Sequence, residues 1–159
     1  MRIWEIQEKT YLMEKDKIIS IVKDCLNSVY TKDTYLFDID IDERSINHRL
    51  AMKLSNELED NTLKVDVEFN RRMNNQKTID ENGFGSIDIL IHHRGIDTHN
   101  ICAFECKKDR ISQNDLRKIN ALLRPPYNYQ YGITIEYNDH VAILYQMIDD
   151  QIIEEKIIL

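Results

Sequence analysis

At Leu63 the spacing of the apolar residues changes from the period of a helix to the period of a strand, and this change decides the kind of fold open to the chain. Upstream, Ile18, Ile19, Val22, Cys25, Leu26 and Val29 recur at i, i+3, i+4 and i+7 among lysines and aspartates, which predicts a helix over about 14–30. Residues 36–41 read as a short extended piece or the start of a turn. A second helix follows over about 42–59, with Ile46, Leu50, Ala51, Leu54 and Leu58 on one face and Asp42, or Asp40 before it, as N-cap. From Leu63 onward, Leu63, Val65, Val67 and Phe69 alternate with Lys64, Asp66 and Glu68, the pattern of a half-buried strand.

After a polar loop at 71–85, with turn signals at Asn74-Asn75 and Asn82-Gly83, Ile87, Ile89 and Ile91 define a second strand. A turn at Arg94-Gly95 leads into a third over about 100–107. Residues 108–123 read as helix, stopped by Pro125-Pro126. Strands are expected at 131–137 and 140–146, and residues 151–159 are a short strand or helix. Helix, helix, three strands, helix and two strands pack naturally as an α/β sandwich with a mixed central sheet. The whole chain, 159 residues, suits a single domain with a helical part at about 14–59 and a sheet core at about 63–146.

Composition narrows the function. No apolar run approaches the roughly 20 residues that a membrane span needs, and Met1-Arg2-Ile3-Trp4-Glu5 is charged early, unlike a signal peptide. Cys25, Cys102 and Cys106 are odd in number and lack metal-ligand spacing, which argues against a disulfide framework. The chain therefore reads as cytoplasmic. Its net charge of −7 speaks against a protein that grips duplex DNA by bulk electrostatics, so any nucleic-acid binding needs a local basic patch, a metal ion or a partner.

Two acidic residues interrupt apolar strands. Asp88 lies within Ser86-Ile87-Asp88-Ile89-Leu90-Ile91, and Glu105 within Cys102-Ala103-Phe104-Glu105-Cys106-Lys107. Ionised carboxylates are rarely buried without a partner or a metal. Glu105 and Lys107 are two apart and leave the same face of a strand, while Cys106 points the other way into the core. If the two strands pair through the Arg94-Gly95 turn, Asp88 and Glu105 converge. Two carboxylates about one hard cation, with a lysine beside them, are what phosphodiester hydrolysis requires.

The segments Ser86-Ile87-Asp88-Ile89 and Phe104-Glu105-Cys106-Lys107 resemble the two halves of the PD-(D/E)XK nuclease signature. Asp42-Glu43-Arg44-Ser45-Ile46-Asn47-His48-Arg49-Leu50-Ala51 is similar to the helix that precedes the signature in small bacterial members of that superfamily. Val65 to Arg71 resembles their first strand, and His92-His93-Arg94-Gly95 with Asn100-Ile101 resembles their hairpin. The likeness covers roughly residues 40–135. Ile87 stands in place of the proline of the name, and no Gln-x-x-x-Tyr motif follows the lysine, since Arg117 comes four residues after Gln113.

The resemblance implies a restriction-endonuclease-like core, with Asp88 and Glu105 as ligands of Mg²⁺ or Mn²⁺ and Lys107 as catalytic lysine. It implies Glu43 as a helix-borne carboxylate on the metal or its water. It further implies a nuclease, on DNA in preference to RNA, with a homodimer or a partner protein supplying a second cut and a defence or restriction setting. The rival expectations are a non-catalytic binding subunit of the same fold and an RNA-cleaving endonuclease.

Around this set, Lys108 and Arg117 are the chosen phosphate contacts among Arg71, Arg72, Arg94, Lys108, Arg110, Arg117, Lys118 and Arg124. Glu68 borders the site or faces solvent. As the second residue of its helix, Glu43 also suits the helix dipole with no further role. His48 is expected to pack or bond its helix to the sheet. His92, His93 and His99 are expected at the hairpin surface rather than on zinc. Tyr127, Tyr129 and Tyr131 are expected to pack the helix-to-strand corner rather than stack on bases.

Overall fold

The computed structural model describes residues 12–159 except 70, 73–74, 77, 81–82 and 97, and describes only the backbone of the remaining residues between 71 and 84. The extreme N-terminus and the turn signals at Asn74 and Asn82 lie outside the described residues, as do the side chains of Arg71 and Arg72.

Four helices are described: α1 (Lys15–Lys32), α2 (Thr34–Asp38), α3 (Glu43–Glu57) and α4 (Gln113–Leu122). Six strands form one sheet: β1 (Lys64–Phe69), β2 (Ile87–His92), β3 (Asn100–Lys107), β4 (Tyr131–Glu136), β5 (Val141–Ile148) and β6 (Gln151–Ile157). Their spatial order equals their order in the chain. All neighbours run antiparallel except β3 and β4, which run parallel. A parallel pair cannot be closed by a tight turn, and α4 supplies the crossover. The segment at 151–157, unassigned between strand and helix, is the edge strand β6.

Each face of the sheet has its own apolar core. On one side Ile89, Ile91, Phe104, Cys106, Ile133 and Ile135 pack with Ile18, Val22 and Leu26 of α1 and Ile46, Leu50 and Leu54 of α3. On the other, Ile87, Leu90 and Ala103 pack with Ile119 and Leu122 of α4 and with Tyr127 and Tyr129. The central β3, covered on both faces, is buried at every position except Lys107. That is why an acid on this strand is conspicuous. The cysteines are buried free thiols.

Local chemistry explains where the elements begin. Asp42 caps α3, its carboxylate accepting from the Ser45 backbone N–H at 3.0 Å. Residues 36–41 are not extended; α2 and a turn occupy them. The helix expected from 108 starts only at Gln113, because the chain after β3 keeps strand-like pairing: Tyr137 N–H donates to Lys107 O and Asn138 N–H to Lys108 O, each at 2.8 Å. Ser112 and Asp115 then form a reciprocal capping box that nucleates α4. The expected loop at 71–85 contains two short antiparallel backbone pairings, Arg71–Arg72 with Asn75–Gln76 and Thr78–Asp80 with Gly83–Phe84.

Candidate active site

The β2–β3 register ends at the pair of Ile89 with Phe104, and the adjoining Asp88 and Glu105 come together just beyond it. Glu105 leaves the sheet on the α4 side, the side of Ala103, and Asp88 meets it while also facing the cleft beside α3. Asp88 is anchored by the Cys106 backbone N–H, which donates to its Oδ2 at 2.8 Å. Glu105 is only 1% exposed. Its Oε1 is buried and accepts no hydrogen bond. Burial first and the charge of Asp88 next push the Glu105 carboxyl up to about 9; the Lys118 ammonium pulls the other way, and a hydrogen bond with Asp88 adds a smaller upward push. A buried acid held against a second acid is costly to ionise unless a cation joins them.

Lys107 follows on the same face. Its ammonium sits between two carboxylates, 3.8 Å from Glu43 Oε1 and 3.9 Å from Asp115 Oδ1. Partial burial works against its charge, but Asp115, Glu43, Asp88 and Glu105 together keep its pKa above the ordinary lysine value. Lys107 is therefore a fixed cation and a hydrogen-bond donor, not a base. Glu43 reaches this point from the first turn of α3 and also accepts the Lys108 backbone N–H at 3.3 Å. Its position at a helix N-terminus does not exhaust its role, because it ties α3 to the end of β3.

Asp115 was not foreseen. It is 3% exposed, and its Oδ2 accepts from Ser112 N and Ser112 Oγ, each at 2.8 Å. The capping box thus leaves Oδ1 facing Lys107. The sequence signal was Ser112-x-x-Asp115 ahead of an apolar helix face.

Of the expected phosphate contacts, Lys108 lies at the site but pairs its ammonium with Asp40, while Arg117 is exposed and donates to Asn114. The α4 cation that reaches the site is Lys118, whose Nζ stands 3.7 Å from Glu105 Oε1. His92 is not at the surface: it is 3% exposed and shares a 2.7 Å hydrogen bond with Asp66 Oδ2. His48 does not bond α3 to the sheet. It is exposed and lines a cleft. Tyr127, Tyr129 and Tyr131 are buried at the corner, as expected.

Two openings reach Asp88, Glu43 and Lys107. A cleft of about 490 Å³ between α3 and β1 has Asp88 in its wall, with Val67, Glu68, Arg44 and His48 around it. A second, of about 540 Å³, is lined by Glu43, Lys107, Lys108, Asp40 and Arg110. Glu68 lies between Val67 and Phe69, which pair with Ile89 and Ile87, so it faces Asp88 across the strands. Its φ of 49° is left-handed, a conformation that costs a non-glycine residue on the order of 1–3 kcal/mol. Its exposed carboxylate lines the Asp88 cleft, where Arg44 Nε pairs with it at 3.0 Å. Glu68 thus borders the site.

Among the described residues no three His, Cys, Asp or Glu side chains already meet as a metal cage. Asp88 and Glu105 meet as a pair, and Glu43 stands apart with the lysines. The pair nonetheless fits a hard divalent cation: two adjacent oxygen donors, one of them buried without a hydrogen bond, suit an ion that takes one or two carboxylates and fills its other positions with water and phosphate oxygens. Comparison of the chain with protein-family models, curated proteins and solved structures found no match. Among the described residues no helix is long and apolar enough to cross a membrane.

Proposed function

We propose that this protein is a Mg²⁺- or Mn²⁺-dependent nuclease of the PD-(D/E)XK type, built on a restriction-endonuclease-like core and acting on DNA in a cytoplasm. The observation that carries the reading is Glu105: a carboxylate buried in the central strand against Asp88, with one oxygen that accepts no hydrogen bond and Lys107 on the same face. A purely structural role gives no reason to hold a buried acid against a second, half-buried one.

Asp88 and Glu105 would hold the cation, with Glu43, the helix-borne carboxylate beside Lys107, on its water. When bound, the ion supplies Lewis-acid activation of the phosphodiester and of water. Hydrolysis adds water across one P–O bond, so negative charge grows on the phosphoryl oxygens as the bond breaks. Lys107 is placed to donate to those oxygens or to orient the water, and Glu43 and Asp115 fix the ammonium from two sides. The Cys106 N–H fixes Asp88, which removes one rotamer search from the reaction. A second copy of the chain or a partner protein would bring the second active site for a double-strand cut.

Cleavage of labelled single- and double-stranded DNA and RNA in Mn²⁺, with Asp88→Ala as control, tests the proposal. Cleavage by wild type that the variant lacks supports it, and the preferred polymer separates a DNA enzyme from an RNA enzyme. The net charge of −7 favours one other reading, a non-catalytic subunit of the same fold. That reading requires that Mn²⁺ affinity not depend on Asp88.

A further inference from the structure

Lys118 has a relation to Glu105 that neither hydrolysis nor folding requires. Its ammonium lies 3.7 Å from Glu105 Oε1, the buried oxygen with no hydrogen bond, and 3.3 Å from the Ser86 carbonyl oxygen. Lys107 leaves the same strand face but is engaged with Glu43 and Asp115. On α4, Asp115 and Lys118 are spaced i, i+3 and so share a face. One helix therefore offers a carboxylate to Lys107 and a cation to Glu105. The helix is held by its capping box and by Ile119 against β4, so the ammonium is placed by a packed element.

We propose that Lys118 is the internal counter-cation of the Asp88–Glu105 pair: its ammonium stands beside the two acids while no divalent cation is bound, and it raises the concentration at which one enters. The inference rests on the nuclease reading, because it assumes that Asp88 and Glu105 receive the ion. A divalent ion at that pair meets the ammonium at short range. Two positive charges against one repel more strongly than one ammonium attracts one carboxylate over a similar distance. Lys118 thus opposes loading, and the Ser86 carbonyl, together with the 21% exposure of its side chain, gives the ammonium somewhere to go.

The test is Mn²⁺ binding by titration calorimetry on the full chain without nucleic acid, for wild type, Lys118→Gln, Lys118→Met, Lys118→Arg and Asp88→Ala. Gln and Met variants are expected to bind about tenfold more tightly than wild type, Arg to keep the wild-type affinity, and Asp88→Ala to bind nothing. Melting in chelator confirms that each variant is folded, and having two neutral variants guards against one that is not. Neutral variants that bind as wild type does, or more weakly, overturn the counter-cation while Asp88-dependent binding leaves the nuclease reading in place. Absence of Asp88-dependent binding in every protein overturns both.

Discussion

Gly132 on β4 is where the fold and the site are most closely coupled. A Cβ at this position would collide with Ile119 Cγ2 of α4, with Ile119 Cδ1 at 3.5 Å and Cβ at 3.7 Å as the next atoms. Ile119 is 2% exposed, so it has no empty space into which to retreat. Gly132→Ala must therefore move α4 away from the sheet or force Ile119 off its rotamer, at about 1–3 kcal/mol. The lower backbone entropy of alanine in the unfolded chain returns about 0.5–1 kcal/mol. The net expectation is a loss of about 1–2 kcal/mol in denaturant unfolding with an unchanged m-value.

The cause is a single methyl group, which permits a sharper test. Ile119→Leu removes Cγ2 at nearly constant volume, so it should rescue Gly132→Ala. Ile119→Val keeps Cγ2 and should not. A double-mutant cycle then gives a favourable coupling of about 1 kcal/mol for the Leu pair and none for the Val pair. Equal rescue by both, or no destabilisation by Gly132→Ala, refutes the close approach of β4 and α4. Because Asp115 and Lys118 ride on α4, the unrescued variant should also perturb Mn²⁺ affinity, and Ile119→Leu should restore it.

Three further perturbations follow from the geometry. In chelator, Glu105→Gln should stabilise the protein by about 1–3 kcal/mol, since it replaces a buried acid by a neutral group of the same shape; excess Mn²⁺ should reverse the order, and a Gln variant less stable in chelator contradicts the account. Asp115→Asn should cost about 1 kcal/mol through its cap and lower turnover while leaving Mn²⁺ affinity unchanged, because it touches Lys107 and not the carboxylate pair; equal losses in turnover and Mn²⁺ affinity would count against this. Asp66 is the pH probe: partial burial alone would raise its carboxyl, but hydrogen bonds from Arg94 and His92 hold it below the ordinary value of 3.8. Its stabilisation is thus present above 3.8 and is lost as pH falls through the lower folded-state value. Asp66→Ala should destabilise by about 1–3 kcal/mol at pH 7 and converge on wild type in strong acid, and a constant difference across that range would refute the linkage.

The local elements and the identity of the four acidic and basic residues were legible in the sequence because they depend on neighbours along the chain. The switch of period at Leu63, the cap at Asp42 and the stop at Pro125-Pro126 are local signals. Asp88 and Glu105 stood out because an acid within an apolar strand has an energetic cost whatever the topology. Side-chain alternation placed Glu105 and Lys107 on one face and Cys106 on the other before any tertiary contact was known.

The tertiary structure decided what those residues meet. His92 was misjudged because burial of a hairpin end depends on Asp66 and Phe69 of another strand. The start of α4 was misplaced because the backbone after Lys107 pairs with Tyr137 and Asn138, about 30 residues away. Asp115 went unremarked in the sequence and Lys118 was one of eight candidate phosphate contacts there, because only the crossover from β3 to β4 sets that helix surface over Glu105 and Lys107. Spacing along a chain determines which side chains share a face. Which faces then oppose one another follows from long-range packing of the two cores, and the chemistry of this site depends on both.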